Sequence, residues 1–163
     1  MIKNKNLNVK ELFKLGFKNQ KLKNFQEAIK FYNRVIKIDP TVVFTYYNLG
    51  IIFEQLRDIR QAEIYYKEAI KVKPLFIHSY NNLGIMSQNQ GQKENAIKYF
   101  KRIIEIDPKY YSGYSNLGLV YASLGMYDEA LNNYLQTLKL DENNLVAKKS
   151  IIFLLTYCQS DNK

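Results

Sequence analysis

The stretch SYNNLG, residues 79–84, holds a five-residue core that appears three times: YYNLG at 46–50, YNNLG at 80–84 and YSNLG at 114–118. The copies are evenly spaced from Tyr46 to Tyr80 to Tyr114, and three further columns keep the same beat. Ala28, Ala62, Ala96 and Ala130 form the first, followed four residues on by Tyr32, Tyr66, Phe100 and Tyr134. Pro40, Pro74 and Pro108 form the next, with Glu142 in the fourth place. Gly16, Gly50, Gly84 and Gly118 complete the set. A fixed period of this length means that one supersecondary unit is copied and stacked, so the repeat decides the architecture before any single helix is assigned.

Each column has a physical reason. An aromatic residue, a leucine and a glycine at helical spacing mark the first helix of each unit. Glycine costs up to about 1 kcal/mol in a helix interior, so its presence predicts backbones too close for a β-carbon, with the alanine column serving the same end on the second helix. The aromatic one turn after the alanine fills space on the same face. Proline closes the second helix, because it cannot donate to the ladder and restricts the residue before it. Gly91 and Gly125 fall in the turn between helices, where a positive φ is wanted. The spacing predicts first helices near 9–21, 43–55, 77–89 and 111–123, and second helices near 24–37, 58–71, 92–105 and 126–139.

This pattern resembles the tetratricopeptide repeat (TPR), a pair of antiparallel helices recurring about every 34 residues. Four repeats are expected at 9–42, 43–76, 77–110 and 111–144, with a lead-in at 1–8, a capping or junction helix at 145–158 and a tail at 159–163. Tyr46, Tyr80 and Tyr114 stand where the family usually has tryptophan, with Leu12 in the first repeat. The resemblance implies an all-α fold, a right-handed superhelical α-solenoid of four helix-turn-helix repeats plus a C-terminal helix. Such a solenoid makes a concave binding surface and not a catalytic pocket.

Composition narrows the function classes. No apolar run approaches the roughly 18 residues that a membrane helix needs, and MIKNKNLNVK lacks the apolar segment of a secretory signal. A cytoplasmic setting is therefore expected, with no membrane partner. The lone Cys158 has no second cysteine to pair with and reads as a small, partly buried apolar side chain. The net charge of +9 is uneven: residues 1–42 carry ten Lys and Arg against three Asp and Glu. Lys10, Lys14, Lys18 and Lys21 make a stripe on one helix. The stripe is expected to cap the outer end of the array with polar groups, and nucleic acid is not expected as a partner. The single histidine, His78, has no neighbour at metal-ligand spacing, the glycines are isolated on the repeat beat, and no nucleophile–base–acid set stands out. The chain is read as a non-enzyme with no cofactor and no metal.

The asparagine before each Leu-Gly stays to be explained. Asn48, Asn82 and Asn116 are rotated about 100° from the inward leucine, which aims them at the concave face. A carboxamide has both donor and acceptor and suits the alternating N–H and C=O of an extended peptide. The first helices add Phe44, His78 and Ser112 in one column, Tyr47, Asn81 and Ser115 in a second, and Gln55, Asn89 and Ser123 in a third. This is the candidate groove, polar in its later repeats and aromatic near Phe44 and Tyr47. Phe13 and Phe17 stand where a carboxylate clamp for chaperone C-termini would need basic or amide residues, so that ligand is not expected. The asparagine column also resembles the ladder of protein O-GlcNAc transferases, which holds substrate polypeptide; Lys14 replaces it in the first repeat.

The chain closes on NLVAKKSIIFLLTYCQSDNK, in which Ile151 and Ile152 replace Leu-Gly. A helix apolar all round is one covered on both sides, so a second copy or a following domain is expected against 145–158. KSIIFLLTY is similar to the segment that joins repeats to the catalytic region in O-GlcNAc-transferase-like and SPINDLY-like proteins, through Ile151, Ile152, Phe153, Leu155 and Tyr157. Thr156 and Gln159 depart from it. The leading expectation is a scaffold or adaptor that binds an extended peptide of a protein partner. The alternatives are the substrate-recognition part of an O-GlcNAc-transferase-like enzyme, whose catalytic domain would lie elsewhere, and a self-associating structural protein.

Overall fold

A computed structural model describes residues 7–160, with side chains through Thr156. The expectations for Tyr157, Cys158, Gln159 and the end of the tail fall outside the described residues and side chains. Among the described residues there are nine helices and no strand. They are α1 (Val9–Lys21), α2 (Phe25–Ile38), α3 (Val43–Gln55), α4 (Ile59–Val72), α5 (Ile77–Asn89), α6 (Lys93–Ile106), α7 (Tyr111–Ser123), α8 (Tyr127–Leu140) and α9 (Leu145–Ser160). The fold class is all-α, a series of helical repeats. The odd-numbered helices up to α7 coincide with the expected first helices, whereas α2, α4, α6 and α8 start and end one residue later than expected. Their last helical residue is set by the position that follows it. Asp39, Lys73 and Asp107 precede proline and are extended at φ near −140°, in keeping with the restriction proline places on its predecessor, and Asp141 takes the same φ before Glu142, so the repeat keeps this end where proline is missing.

α1 opens on a capping box, in which Asn8 accepts from the Glu11 amide while Glu11 accepts from the Asn8 amide. This satisfies two of the N–H groups that a helix start leaves without partners. Each of α1, α3, α5 and α7 closes the same way. The residues that follow, Lys23, Arg57, Gly91 and Gly125, have φ of 60°, 64°, 74° and 74°, and the next amide reaches back to the last turn, as Asn24 does to the Asn19 carbonyl and Asp58 to that of Phe53. These are left-handed helix ends of the Schellman kind. Two of the four are built without glycine.

The described residues divide into two compact units, one ending at Ser79 and the other beginning at Tyr80, inside α5. In the first unit Ala28, Tyr32, Leu49 and Ile52 form one buried cluster, and Tyr46, Ala69 and Phe76 form another. In the second unit Ala130, Tyr134, Ala147 and Leu154 pack together, with Leu119, Tyr121 and Ile151 against them. The acidic side chains of the second helices lie on solvated faces: Glu27, Glu68 and Glu105 pair with Lys30, Lys71 and Arg102 of their own helices, contacts worth a few tenths of a kcal/mol each.

The glycine column has a different cause from the one expected. A β-carbon on Gly16 would lie 2.7 Å from a ring carbon of Tyr32, one on Gly50 2.5 Å from Tyr66, and one on Gly118 2.8 Å from Tyr134. Gly84 stands in the same relation to Phe100. What excludes the β-carbon is the ring of the aromatic column, whose Cδ1, Cε1 and Cζ carbons lie over the glycine of its own repeat, and not a second backbone. The aromatic and glycine columns are thus two halves of one contact. Thr45 and Ser79 are fully buried, and their hydroxyls have no hydrogen-bond partner. Their column continues at Gly113, where an added β-carbon would press on Ile103 and Ile104 of α6 at 3.1 Å. The position selects for small size rather than polarity.

Candidate peptide-binding surfaces

In the first unit the structure gathers three of the expected residues, Phe44, Tyr47 and His78, around a fourth that the sequence reading missed. Phe76, in the connection between α4 and α5, is 5% exposed and forms the hub. Phe44 meets it edge-on at 5.1 Å, Tyr47 at 5.4 Å and His78 at 5.3 Å between centroids. Tyr47 and His78 close the ring of contacts at 5.8 Å. Edge-to-face pairs are the favoured aromatic geometry, because positive ring edges meet negative faces. The buried hub fixes the rings around it, while Phe44 stays 49% exposed and His78 is also exposed. Gln55 lies exposed at the far end of α3 and is not part of this cluster. The signal for Phe76 was present in the column Val42, Phe76, Tyr110, Asn144, apolar in three of its four places.

Asn48 is not on open surface. It is 7% exposed and its amide donates to the Tyr32 hydroxyl at 3.0 Å, and that hydroxyl donates to Gln20 at 2.8 Å. Burial pushes the Tyr32 phenol well above its usual range, with the Asn48 bond pulling the other way. Tyr134 and Ser150 hold the equivalent places three repeats further on, and there too burial pushes the phenol up while the neighbouring polar side chain pulls it down. The asparagine column therefore begins as a structural tie from one helix pair to the phenol of the pair before it.

The second unit shows what happens when the phenol is missing. The residue that stands to Asn116 as Tyr32 stands to Asn48 is Phe100, which has no hydroxyl to offer. Asn116 is only half-buried and its amide donates instead to the side-chain oxygen of Asn81 at 3.0 Å. Asn81, Asn82 and Ser112 are half-buried beside it, Ser115 is buried at 8%, and Asn89 and Ser123 are exposed at the ends of α5 and α7. These candidate residues of the second unit are thus polar and uncharged, and Asn81 and Asn116 form one linked pair among them. Ser115 contributes to packing rather than to open surface.

Charge separates the two units. Residues 1–79 hold 15 Lys and Arg against 7 Asp and Glu, whereas residues 80–163 hold 9 against 8. Lys10, Lys14, Lys18 and Lys21 are all exposed on α1, and Lys21 lies over the Phe17 ring at 4.8 Å. Among the described residues no three His, Cys, Asp or Glu side chains gather as a metal site, and no helix is long and apolar enough to cross a membrane.

Comparison with known proteins agrees with the repeat. A tetratricopeptide repeat family model matches residues 9–42, 78–110 and 111–144, and a second tetratricopeptide repeat model matches 45–74. No curated protein is close enough to count as a match. Among solved structures, a crystal structure of MamA protein is similar over 90% of this chain and 80% of its own, at 27% identity and a TM-score of 0.79. A further MamA structure covers 83% and 79%, with 27% identity and a TM-score of 0.75. YrrB, described as a TPR protein with an unusual peptide-binding site, covers 93% and 78% at 18% identity and a TM-score of 0.75, a likeness of fold.

Proposed function

We propose, since the chain belongs to the tetratricopeptide repeat family, that it is a protein-interaction module that holds an extended acidic peptide through an aromatic or leucine anchor. The observation that carries this reading is the aromatic cluster of Phe44, Tyr47, Phe76 and His78, rigid at its hub and open at its rim. Large aromatic side chains that are held in place before binding lose little entropy on contact and dominate peptide affinity. The excess of basic residues in the same unit selects the sign of the ligand's charge and speeds its approach. Taken by itself, the second unit offers a separate polar surface, in which Asn81, Asn82, Ser112 and Asn116 supply amide and hydroxyl groups suited to a peptide main chain.

The test is a fluorescence anisotropy titration with a labelled peptide pool, Asp or Glu at every position but one and Phe, Leu or Trp at that one. A matching pool with Lys in place of the acids is the control. The acidic pool binds and the basic pool does not, and Phe44→Ala, which alters an exposed ring, weakens binding at least about tenfold. Equal binding of both pools, or full affinity in Phe44→Ala, would sink the proposal.

A second reading has one observation in its favour, the exposed Ile152, Phe153 and Leu155 on α9. In an O-GlcNAc-transferase-like protein a catalytic region would cover that face, and the repeats would present substrate polypeptide. Sequencing the gene beyond the Lys163 codon tests it, because a following sugar-nucleotide-binding α/β region is required and its absence ends the idea.

A further inference from the structure

α9 shows far more apolar surface than the last helix of a repeat array needs. Leu145, Val146, Ile152, Phe153 and Leu155 are 67%, 50%, 63%, 63% and 51% exposed, while Ala147 and Leu154 are buried against the preceding pair. Terminal repeats ordinarily turn a polar face to water, and exposed apolar patches of this kind mark interaction sites. Beside this face, in the same unit, lies an open, mainly apolar cavity of about 380 Å³ walled by Leu119 and Ala122 of α7, Tyr134 of α8, and Phe153 and Leu154 of α9, with Lys149 and Ser150 completing the wall. Phe153 belongs to both features. An apolar ridge and an apolar hollow therefore adjoin on one surface.

We infer that α9 is the interface of a twofold dimer of this chain, each copy setting apolar side chains of its α9 into the hollow of the other. A surface that carries both knob and hole is complementary to itself, which is the requirement of an isologous contact. Charge selects this arrangement over head-to-tail stacking. The helix that α9 would meet in a head-to-tail array is α1, whose exposed Lys10, Lys14, Lys18 and Lys21 would face Lys148 and Lys149 of α9, all exposed. Charge also sets the direction. Two α9 helices crossing antiparallel at Ile152 and Phe153 keep their Lys148 and Lys149 pairs roughly 12 Å apart along the helix axes, at about 1.5 Å per residue. A parallel crossing would set them side by side. The inference is independent of the aromatic cluster, so either can fail alone.

Sedimentation equilibrium of the whole chain, from about 1 to 100 µM, reads the result, since a dimer's population depends on protomer concentration. The mass is expected to rise from 19.3 kDa to twice that value and to stop there. Ile152→Lys, at an exposed position, is expected to leave a folded monomer over the whole range. Ala122→Phe fills the hollow from α7 while every ridge side chain of α9 keeps its identity, and it is expected to weaken the dimer at least about tenfold, as a knob without its hole loses its buried contact. If circular dichroism shows that Ala122→Phe does not fold, Ala122→Leu, a smaller filling of the same hollow, decides the same point. A wild-type monomer at the highest concentration overturns the inference and leaves the face to a further domain. Mass that climbs past the dimer overturns the twofold closure, and an Ala122→Phe dimer of wild-type strength overturns the role of the cavity.

Discussion

The four left-handed helix ends make a stability experiment with its own control. Lys23 and Arg57 hold φ of 60° and 64° where the later repeats have Gly91 and Gly125 at 74°. An L-residue costs roughly 1–2 kcal/mol in this region relative to glycine, because its β-carbon crowds the following carbonyl. Replacing Lys23 or Arg57 with glycine removes that strain and returns about 0.5–1 kcal/mol of extra freedom to the unfolded chain. The balance is a stabilisation of about 0.5–1 kcal/mol at each site, or roughly 1–4 °C in Tm for a chain of this size. Both side chains are exposed, so little packing is lost. Gly91→Ala and Gly125→Ala run the other way. Nothing lies within 4 Å of an ideal β-carbon at either, so no packing clash enters, and the expected loss of about 0.5–1 kcal/mol is backbone strain less the freedom that alanine removes from the unfolded chain. Urea unfolding followed by circular dichroism at constant slope measures all four. Destabilisation by Arg57→Gly, or a Gly91→Ala variant as stable as the parent, would refute the assignment of strain to these positions.

Three further outcomes are expected. Tyr32→Phe leaves the buried Asn48 amide and Gln20 without their shared partner and is expected to cost about 1–3 kcal/mol, with a double-mutant cycle against Asn48→Ala returning most of that energy as coupling. Gly50→Ala gains about 1 kcal/mol in helix propensity but drives a β-carbon to 2.5 Å from the fully buried Tyr66 ring, whose hydroxyl is held by Glu54 at 2.7 Å; overpacking of about 1–3 kcal/mol is expected to win, and a melt above the parent's would refute it. Burial raises the phenols of Tyr32, Tyr46, Tyr65 and Tyr134 above their ordinary value of 10.0. A group raised in the folded state contributes its stability below the unfolded value and loses it as pH climbs towards the folded one, so stability is expected to fall above pH 10, and the share of tyrosinate absorbance that disappears in the Tyr32→Phe and Tyr134→Phe variants should develop in step with loss of helix.

The architecture was legible because its signal is long-period and redundant. Several independent columns agreed on one period, and helix starts followed from them to within one position. What was not legible were contacts made between columns. That Gly50 is matched to Tyr66, and Asn48 to Tyr32, requires knowing which helix lies on which, and the interval from Tyr32 to Asn48 has no meaning until pairs are stacked. Asn48 consequently looked like a groove residue and is a buried tie, while Asn116, opposite Phe100, keeps its amide for a neighbour on the surface. Phe76 was missed because it sits outside any helix, in a connection read only for its proline. The helix-end register of α2, α4 and α6 was available in the sequence, since each proline fixes its predecessor as extended and leaves the residue before that as the last helical one.

His78 supplies the most direct measurement of the central claim. It is the single histidine of the chain and lies within 5.3 Å of Phe76 and 5.8 Å of Tyr47 between ring centroids. In a tag-free sample its imidazole carbon-bound protons give one isolated set of NMR signals at the mouth of the aromatic cluster. Titrating the acidic anchor peptide at low salt should move those signals along a saturating curve with the Kd found by anisotropy, and Phe44→Ala should shift that curve to higher concentration. Binding by anisotropy with the His78 signals unmoved would place the ligand elsewhere and contradict the account.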